Sequence, residues 1–484
     1  MNIHWKSLLV IIIIIEWFIR VGMLFIVPRN RRPSSATAWL MLIMVEPIVG
    51  SLIFATFGSP KLPKYRRALQ KKFDSKAEKD ISKRAQYYKD KIIKSEKLSP
   101  SELKFEALNR SMGGLPIFEG NEVLFIDDYQ KSLQSLINDI DNASRRVFFE
   151  YFILAYDQTS LPVLEALRRA RSRGVEVYVL FDYLACMRYR RYRKLKKFLN
   201  KSDIKWSSML PLRLLPGKYF TRPDLRNHRK IVVIDDCIGY TGSQNIITKN
   251  YHRKDDLYYE ELVARVNGPV AWQLAKVFRA DWYTETREYL ADMAQLPAKS
   301  GGVAAQLLPS GPSYKQSGNL KLYTALMHGA HKKIVIVTPY FVPDESLMNA
   351  LTSAAQRGVE VIMINSEVID KLLVGHAQRS YYEELLSAGV QIYLYEKPVF
   401  LHTKHLTIDE TIAVVGSSNL DIRSFELDLE VSLVLYSRES VTSLRKIEKR
   451  YMKNSQLVTI NDWNKRSLRL RLLDNLARLT AAFQ

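Results

Sequence analysis

His228-Arg229-Lys230-Ile231-Val232-Val233-Ile234-Asp235 leads into Gly242-Ser243-Gln244-Asn245. The same arrangement returns as His402-Thr403-Lys404-His405-Leu406-Thr407-Ile408-Asp409, followed by Gly416-Ser417-Ser418-Asn419. Apolar, partly β-branched residues fill each interval, so each copy predicts a buried strand. Alternate side chains of a strand share a face. His228 therefore projects with Lys230, His402 with Lys404, Ser243 with Asn245, and Ser417 with Asn419. Asp235 and Asp409 have the opposite parity from their histidines, so each is expected to brace a strand end or turn.

The duplication extends outward from the two motifs. Ala143 to Phe152 corresponds to Ala330 to Phe341, and Arg173-Gly174-Val175-Glu176-Val177 to Arg357-Gly358-Val359-Glu360-Val361. Helical patterns over 161–173 and 346–357 precede those strand openings. Helices alternating with buried strands predict an α/β sandwich with a mostly parallel sheet in each half. The halves divide near Ala298-Lys299-Ser300-Gly301-Gly302. Face to face, the two copies offer two imidazoles, two ammonium groups, two hydroxyls and two carboxamides. That set suits phosphoryl transfer by covalent catalysis. One histidine attacks phosphorus, the other protonates the leaving oxygen, and lysine and asparagine hold the phosphate oxygens. A lone histidine on an apolar strand is usually a packed residue; two copies in register argue against coincidence.

The paired motif resembles the phospholipase D superfamily. The surrounding residues, Arg226-Asn227-His228-Arg229-Lys230 and Thr338-Pro339-Tyr340-Phe341-Val342-Pro343, are similar to those of bacterial cardiolipin synthases. The resemblance implies two tandem phospholipase D-like α/β/α repeats with pseudo-two-fold symmetry, preceded by two N-terminal membrane helices. It implies phosphatidyl transfer between two phosphatidylglycerol molecules through a phosphatidyl-histidine, giving cardiolipin and glycerol. Hydrolysis, or another donor or alcohol, stays open. His228, Lys230, Asp235, His402, Lys404 and Asp409 become the candidate catalytic residues. Ser243, Asn245, Ser417 and Asn419 become candidate substrate contacts, with no cofactor and no metal. Glu261 and Glu430, each opening an apolar strand after its motif, are the acids expected to hold the histidines; Glu260 is a rival to Glu261. Family pattern suggests His228 as nucleophile and His402 as acid/base.

The formal net charge of +22 points to an anionic partner, phospholipid or nucleic acid. Two apolar runs, Leu8 to Val27 and Trp39 to Phe57, favour the lipid. They argue against a nuclease and predict a multi-pass protein of the bacterial plasma membrane. Glu16 and Arg20 are spaced to pair on one helix face, and Glu46 precedes Pro47 within the second run. Arginines 29, 31 and 32 and the lysines and arginines from Lys61 to Lys72 lie on opposite sides if both runs span. The larger cluster favours a cytoplasmic catalytic body, and a shallow hairpin would ease the conflict. The expected segments are 1–60 for the membrane, 61–112 for a basic helical linker able to meet anionic headgroups, 113–300 for the first repeat and 301–484 for the second.

The basic stretch Arg188 to Lys197 is read as a helix, either anion-facing or simply solvated, and Pro211 to Arg222 as a loop beside the site. Cys186 and Cys237 are read as buried thiols, which excludes a disulfide framework. Leu468, Leu472, Leu476 and Leu479 share one face of a predicted C-terminal helix, with Arg469, Arg471 and Arg478 elsewhere. A membrane-surface helix has that pattern. Packing of the leucines on the body is commoner and is the expectation.

Overall fold

The computed structural model describes residues 2–29, 31, 33–82, 91–92, 97–212, 221–251, 257–292, 296–314 and 317–480. Residues 213–220, most of the expected loop Pro211 to Arg222 beside the site, and 83–90 and 93–96 of the linker lie outside them. The chain divides into two compact units, Met1–Leu62 and Pro63–Gln484.

The first unit is helical. Its opening helix is Asn2–Ile26, and Ser7–Ile26 is long and apolar enough to cross a bilayer, with a mean hydropathy of 2.5. Glu16 and Arg20 pair at 3.3 Å as their spacing implies. The second apolar run departs from expectation. It is broken into Pro33–Val45 and Pro47–Phe57, which pack together with Trp39 edge-on to Phe54 at 5.4 Å. Pro47 causes the break, because it lacks an N–H and disfavours helical geometry in the residue before it. Glu46 accordingly sits at φ −130°, ψ 85°. At 1.5 Å per residue the pieces reach about 20 and about 17 Å, short of a bilayer core of about 30 Å. Among the described residues one helix, not two, has spanning length, so a multi-pass arrangement is not supported.

The second unit is built on a 15-stranded sheet. Each half contributes six strands in matching order. In the first half these are Val263–Asn267, Ile238–Gly242, Lys230–Ile234, Arg146–Tyr151, Glu176–Asp182 and Lys205–Met209. In the second they are Glu430–Tyr436, Ile412–Gly416, His405–Ile408, Lys333–Val337, Glu360–Ser366 and Gln391–Tyr395, with Ser455–Val458 at the edge. Phe118–Ile126 and Val303–Ser310 pair antiparallel in the middle and join the halves.

The sheet is mixed, where a mostly parallel one was expected. Only the strands joined through helices run parallel, such as Arg146–Tyr151 with Glu176–Asp182 and Lys333–Val337 with Glu360–Ser366. Each motif strand instead turns straight back on its neighbour, pairing Ile234 with Ile238 and Ile408 with Ile412. A short hairpin cannot join parallel strands. Asp235 and Asp236 both adopt left-handed φ, 50° and 61°, as does Asp409 at 48°. Tight hairpins between right-twisted strands need such residues, and aspartate tolerates them.

Helices cover both faces. Tyr129–Asp141 and Leu161–Ser172 bury Leu133, Leu136, Val163 and Leu167 in one core. Val270–Thr286, buried along most of its length, lies on the other face, where Phe278 stacks on Phe148 at 4.6 Å. The basic helix Lys64–Ser82 packs on this helix, with Phe73 against Tyr283. Arg66 is buried there in a two-pronged pair with Glu285 at 2.6 and 2.7 Å. Arg66 of the basic run is thus structural.

Candidate active site

Both motifs end at one cavity. It encloses about 730 Å³ of empty space, open solvent included, and is lined by His228, Asn245, His402 and Asn419 among others. His228 and His402 each lie just before their regular motif strand, which begins at Lys230 and at His405. What fixes each histidine is the other repeat. His228 donates its backbone N–H to Leu429 O at 2.9 Å, and His402 donates to Glu260 O at 2.8 Å. Val399–Leu401 also pairs in parallel with Tyr258–Glu260.

That exchange places each acid on the opposite histidine. Glu430 Oε1 lies 3.0 Å from Nδ1 of His228. Glu261 Oε1 and Oε2 lie 2.9 and 3.0 Å from Nδ1 of His402. A carboxylate at Nδ1 fixes the tautomer, stabilises the imidazolium and leaves Nε2 for chemistry. Glu260, the rival acid, is half-buried and lies 3.9 Å from Arg450, away from the histidine ring.

Ser243 and Ser417, candidate substrate contacts, do not line the cavity; Ser417 serves Glu430 and Ser243 holds the backbone beside Glu261. Ser417 donates to Glu430 and accepts from Val431 N–H at 3.0 Å. Ser243 accepts from Leu262 N–H at 2.9 Å and donates to Leu262 O at 3.3 Å. The two asparagines do line the cavity. Asn245 accepts from Ile153 N–H at 3.2 Å, while the carboxamide oxygen of Asn419 is buried with no hydrogen-bond partner among the described residues. Asn419 is therefore the carboxamide with spare capacity for a ligand.

Lys230 and Lys404 are buried behind the histidines. Each Nζ donates to the carbonyl of its own motif histidine, at 2.7 Å for Lys230 and 2.6 Å for Lys404. Burial drives their pKa values down, to about 8 for Lys230 and about 7 for Lys404, against the pull of both glutamates. The same burial raises Glu261 to about 7 and raises Glu430 as well. His228 is held well below its ordinary value by burial, then by Lys230, so it rests neutral.

Asp235 and Asp409, named among the candidate catalytic residues, lie outside the cavity. Asp235 accepts the backbone N–H groups of Ser144, Arg145 and Arg146 at 2.8–2.9 Å. Asp409 does the same for His331, Lys332 and Lys333 at 2.7–3.2 Å. Each therefore pins its hairpin to the neighbouring strand. His405 faces away from the cavity, 3.4 Å from Glu448.

Several lining residues escaped the sequence reading. Tyr340 and Asp370 line the cavity, and Tyr259, from the opposite repeat and behind the lining, donates to Asp370 as Tyr340 does. Phe152 packs edge-on to His228 at 4.9 Å and Tyr259 edge-on to His402 at 5.3 Å. Asp428 lies beside His228 and pairs with Arg423 at 3.1 Å. Only the aromatic Tyr340-Phe341 following a strand had signalled any of these.

The model for "Cardiolipin synthase, PLD-like domain" matches residues 136–282 and 323–452, one stretch in each repeat. Cardiolipin synthase A of Wigglesworthia glossinidia brevipalpis is 31% identical over 486 residues, covering 97% of both chains. Cardiolipin synthase 2 of Bacillus anthracis is 31% identical over 466 residues, covering 93% of this chain and 87% of that one. The crystal structure of phosphatidylserine synthase from Haemophilus influenzae Rd KW20 superposes with a TM-score of 0.60 at 15% identity. It covers 78% of this chain and 98% of that one, which shows the shared fold. The match to both repeats, and the near-complete overlap with relatives of one kind, show that this chain belongs to the cardiolipin synthase family with phospholipase D-like domains.

Proposed function

We propose that the protein transfers a phosphatidyl group from one phosphatidylglycerol to a second, giving cardiolipin and glycerol. The observation that carries this reading is the crossed pair: two imidazoles opening on one cavity, each held at Nδ1 by the other repeat's glutamate. Nε2 of neutral His228 attacks phosphorus, and the glycerol oxygen leaves with a proton from His402. The terminal hydroxyl of the second lipid then attacks the phosphatidyl-histidine, gives its proton to His402, and expels His228. Burial and the Lys230 charge keep His228 unprotonated, which supports the nucleophile's role for it. Lys230 and Lys404 bring positive charge close to both acids, where negative charge would build on the phosphoryl oxygens. The apolar helix Ser7–Ile26 is read as the bilayer anchor. Anchoring keeps acceptor lipid at high local concentration and so favours transfer over hydrolysis.

The purified protein, supplied with phosphatidylglycerol alone, should yield cardiolipin and glycerol in equal amounts. Phosphatidic acid as the main product would show a hydrolase instead.

A further inference from the structure

The C-terminal helix Leu468–Arg478 is turned the opposite way from expectation. Its buried positions are Asp474 and Ala477, while Leu468, Leu470, Leu472, Leu473, Leu476 and the capping Leu479 are exposed. A polar anchor seats it. The Asp474 carboxylate is 2.7 Å from His376 Nδ1, 3.3 Å from Arg379 Nε and 2.6 Å from an Arg466 guanidinium nitrogen. Two of those partners lie on the helix Leu372–Arg379, which adds Leu372, 78% exposed, and Leu373 to the same surface. Among the described residues beyond 62, twelve large apolar side chains are exposed, and eight belong to these two elements. A cluster of that size marks an interaction surface.

Two features say what covers it. The first is position: Lys371 and Val374, at the start of the shorter helix, line the cavity of the two histidines. The second is charge. Lys465 and Arg469 are exposed beside the leucines. Arg471 and Arg478 reach from the same helix toward Glu383 and Glu384 at 3.5 and 3.6 Å. Leucines interleaved with arginines suit the interfacial layer of an anionic bilayer.

We propose that this leucine platform is a bilayer-docking face that enters the headgroup layer of an anionic membrane and sets the cavity mouth against the lipid. The inference rests on the proposed lipid chemistry for what enters the cavity, and stands without it for the docking itself.

The test uses the full chain with Cys237→Ser, in phosphatidylglycerol vesicles, spin-labelled at Leu472→Cys or Leu476→Cys. The control is Leu457→Cys, an exposed leucine on the edge strand Ser455–Val458. Labels at 472 and 476 should be relaxed by oxygen and shielded from a polar nickel reagent, and the label at 457 should behave oppositely. Water-exposed labels at 472 and 476 would overturn the proposal. So would labels shielded by another copy, seen as spin–spin broadening that grows with protein per vesicle. In a second arm, the triple variant Leu472→Ser, Leu476→Ser, Leu479→Ser should lose on the order of tenfold in transfer on vesicles. It should keep its rate on dispersed short-chain phosphatidylglycerol. Equal loss on both substrates would reduce the platform to packing and overturn it. Shielded labels in a protein that makes no cardiolipin would sink the proposed function and leave the docking face intact.

Discussion

Chain order pairs Glu261 with His228 and Glu430 with His402; the structure pairs them the other way, and that crossing can be read out kinetically. The perturbation is Glu430→Gln or Glu261→Gln, each nearly isosteric. In Glu430→Gln the charged acceptor 3.0 Å from His228 Nδ1 becomes a neutral amide. A hydrogen bond to a charged group contributes roughly 1.5–3 kcal/mol, or about one to two decades in rate. The amide also donates to Nδ1 and so selects the tautomer with its proton on Nε2, which cannot attack. The equivalent exchange in a protease triad costs about four decades. Each variant should therefore lose roughly two to four orders of magnitude in phosphatidylglycerol turnover. The assay that separates them uses a phosphatidyl ester of p-nitrophenol, which leaves without a proton. The acid/base histidine then becomes dispensable for the first step, and only the variant that disturbs the nucleophile loses its nitrophenol burst. Quench-trapping and peptide mapping identify the histidine that carries the phosphatidyl group. The acid whose replacement removes the burst should come from the opposite repeat to that histidine. A burst lost through the acid of the same repeat would refute the crossed arrangement.

Three further outcomes follow from the site. His228→Ala and His402→Ala should each lower transfer by at least about 10³, and exhaustive chelation should not; full turnover in either variant, or strict metal dependence, would contradict the two-histidine scheme. With Lys404 lowered to about 7 and Lys230 to about 8, kcat/KM should fall as pH rises through 7 to 8, as positive charge leaves the site. In the unfolded chain both lysines return to about 10.5, so between the two values the unfolded state binds more protons and unfolding free energy should rise with pH. Denaturant midpoints that stay flat or fall over that window would contradict the lowered lysine values. Asp409→Ala removes the acceptor of three backbone N–H groups at a left-handed position, so it should destabilise by roughly 2–4 kcal/mol in urea unfolding. The rate per folded molecule should change little, and a selective fall in kcat without loss of stability would make Asp409 catalytic.

The duplicated motif was legible because period-two patterning survives in any buried strand. Parity set Asp235 and Asp409 apart from the histidines while the family resemblance kept them among the candidate catalytic residues; their carboxylates hold backbone N–H groups of the neighbouring strand. The same reasoning could not see across the chain. Nothing local tells Glu261 that its partner is His402, or Ser417 that it serves Glu430, because both contacts arise only when two distant segments pair. Asp370 and Asp428 were missed for a related reason: each sits in an irregular stretch with no period to betray it. The broken second apolar run was readable in part, since Glu46-Pro47 is a poor helix interior. The outward leucines of the last helix were not, because their orientation is decided by one buried carboxylate finding a histidine and two arginines elsewhere.

Pseudo-symmetry leaves two equivalent histidines, so any division of labour must come from where the halves differ. The difference is concentrated around His228. Arg226 reaches Asp182, Asn227 donates to buried Glu150 at 2.9 Å, and Arg229 pairs with Asp281. The corresponding positions of the second half are Phe400, Leu401 and Thr403, and Val337 stands where Glu150 would be. A chain segment held on three sides loses little freedom when its ring must meet phosphorus along one line, which is what a nucleophile needs. In the proposed scheme the second histidine instead follows a proton from one departing oxygen to one arriving, and its flanking Phe400, Leu401 and Thr403 have no charged side chain with which to form such a clamp. Transplanting the difference is therefore informative: Arg229→Thr with Asp281→Ser, removing both members of the buried pair together, should slow adduct formation more than proton transfer. With the p-nitrophenyl ester the burst rate should drop, while the relative rate for phosphatidylglycerol falls no further. An unchanged burst would mean that the flanking clamp is structural only, and that the neutral state of His228 alone assigns its role.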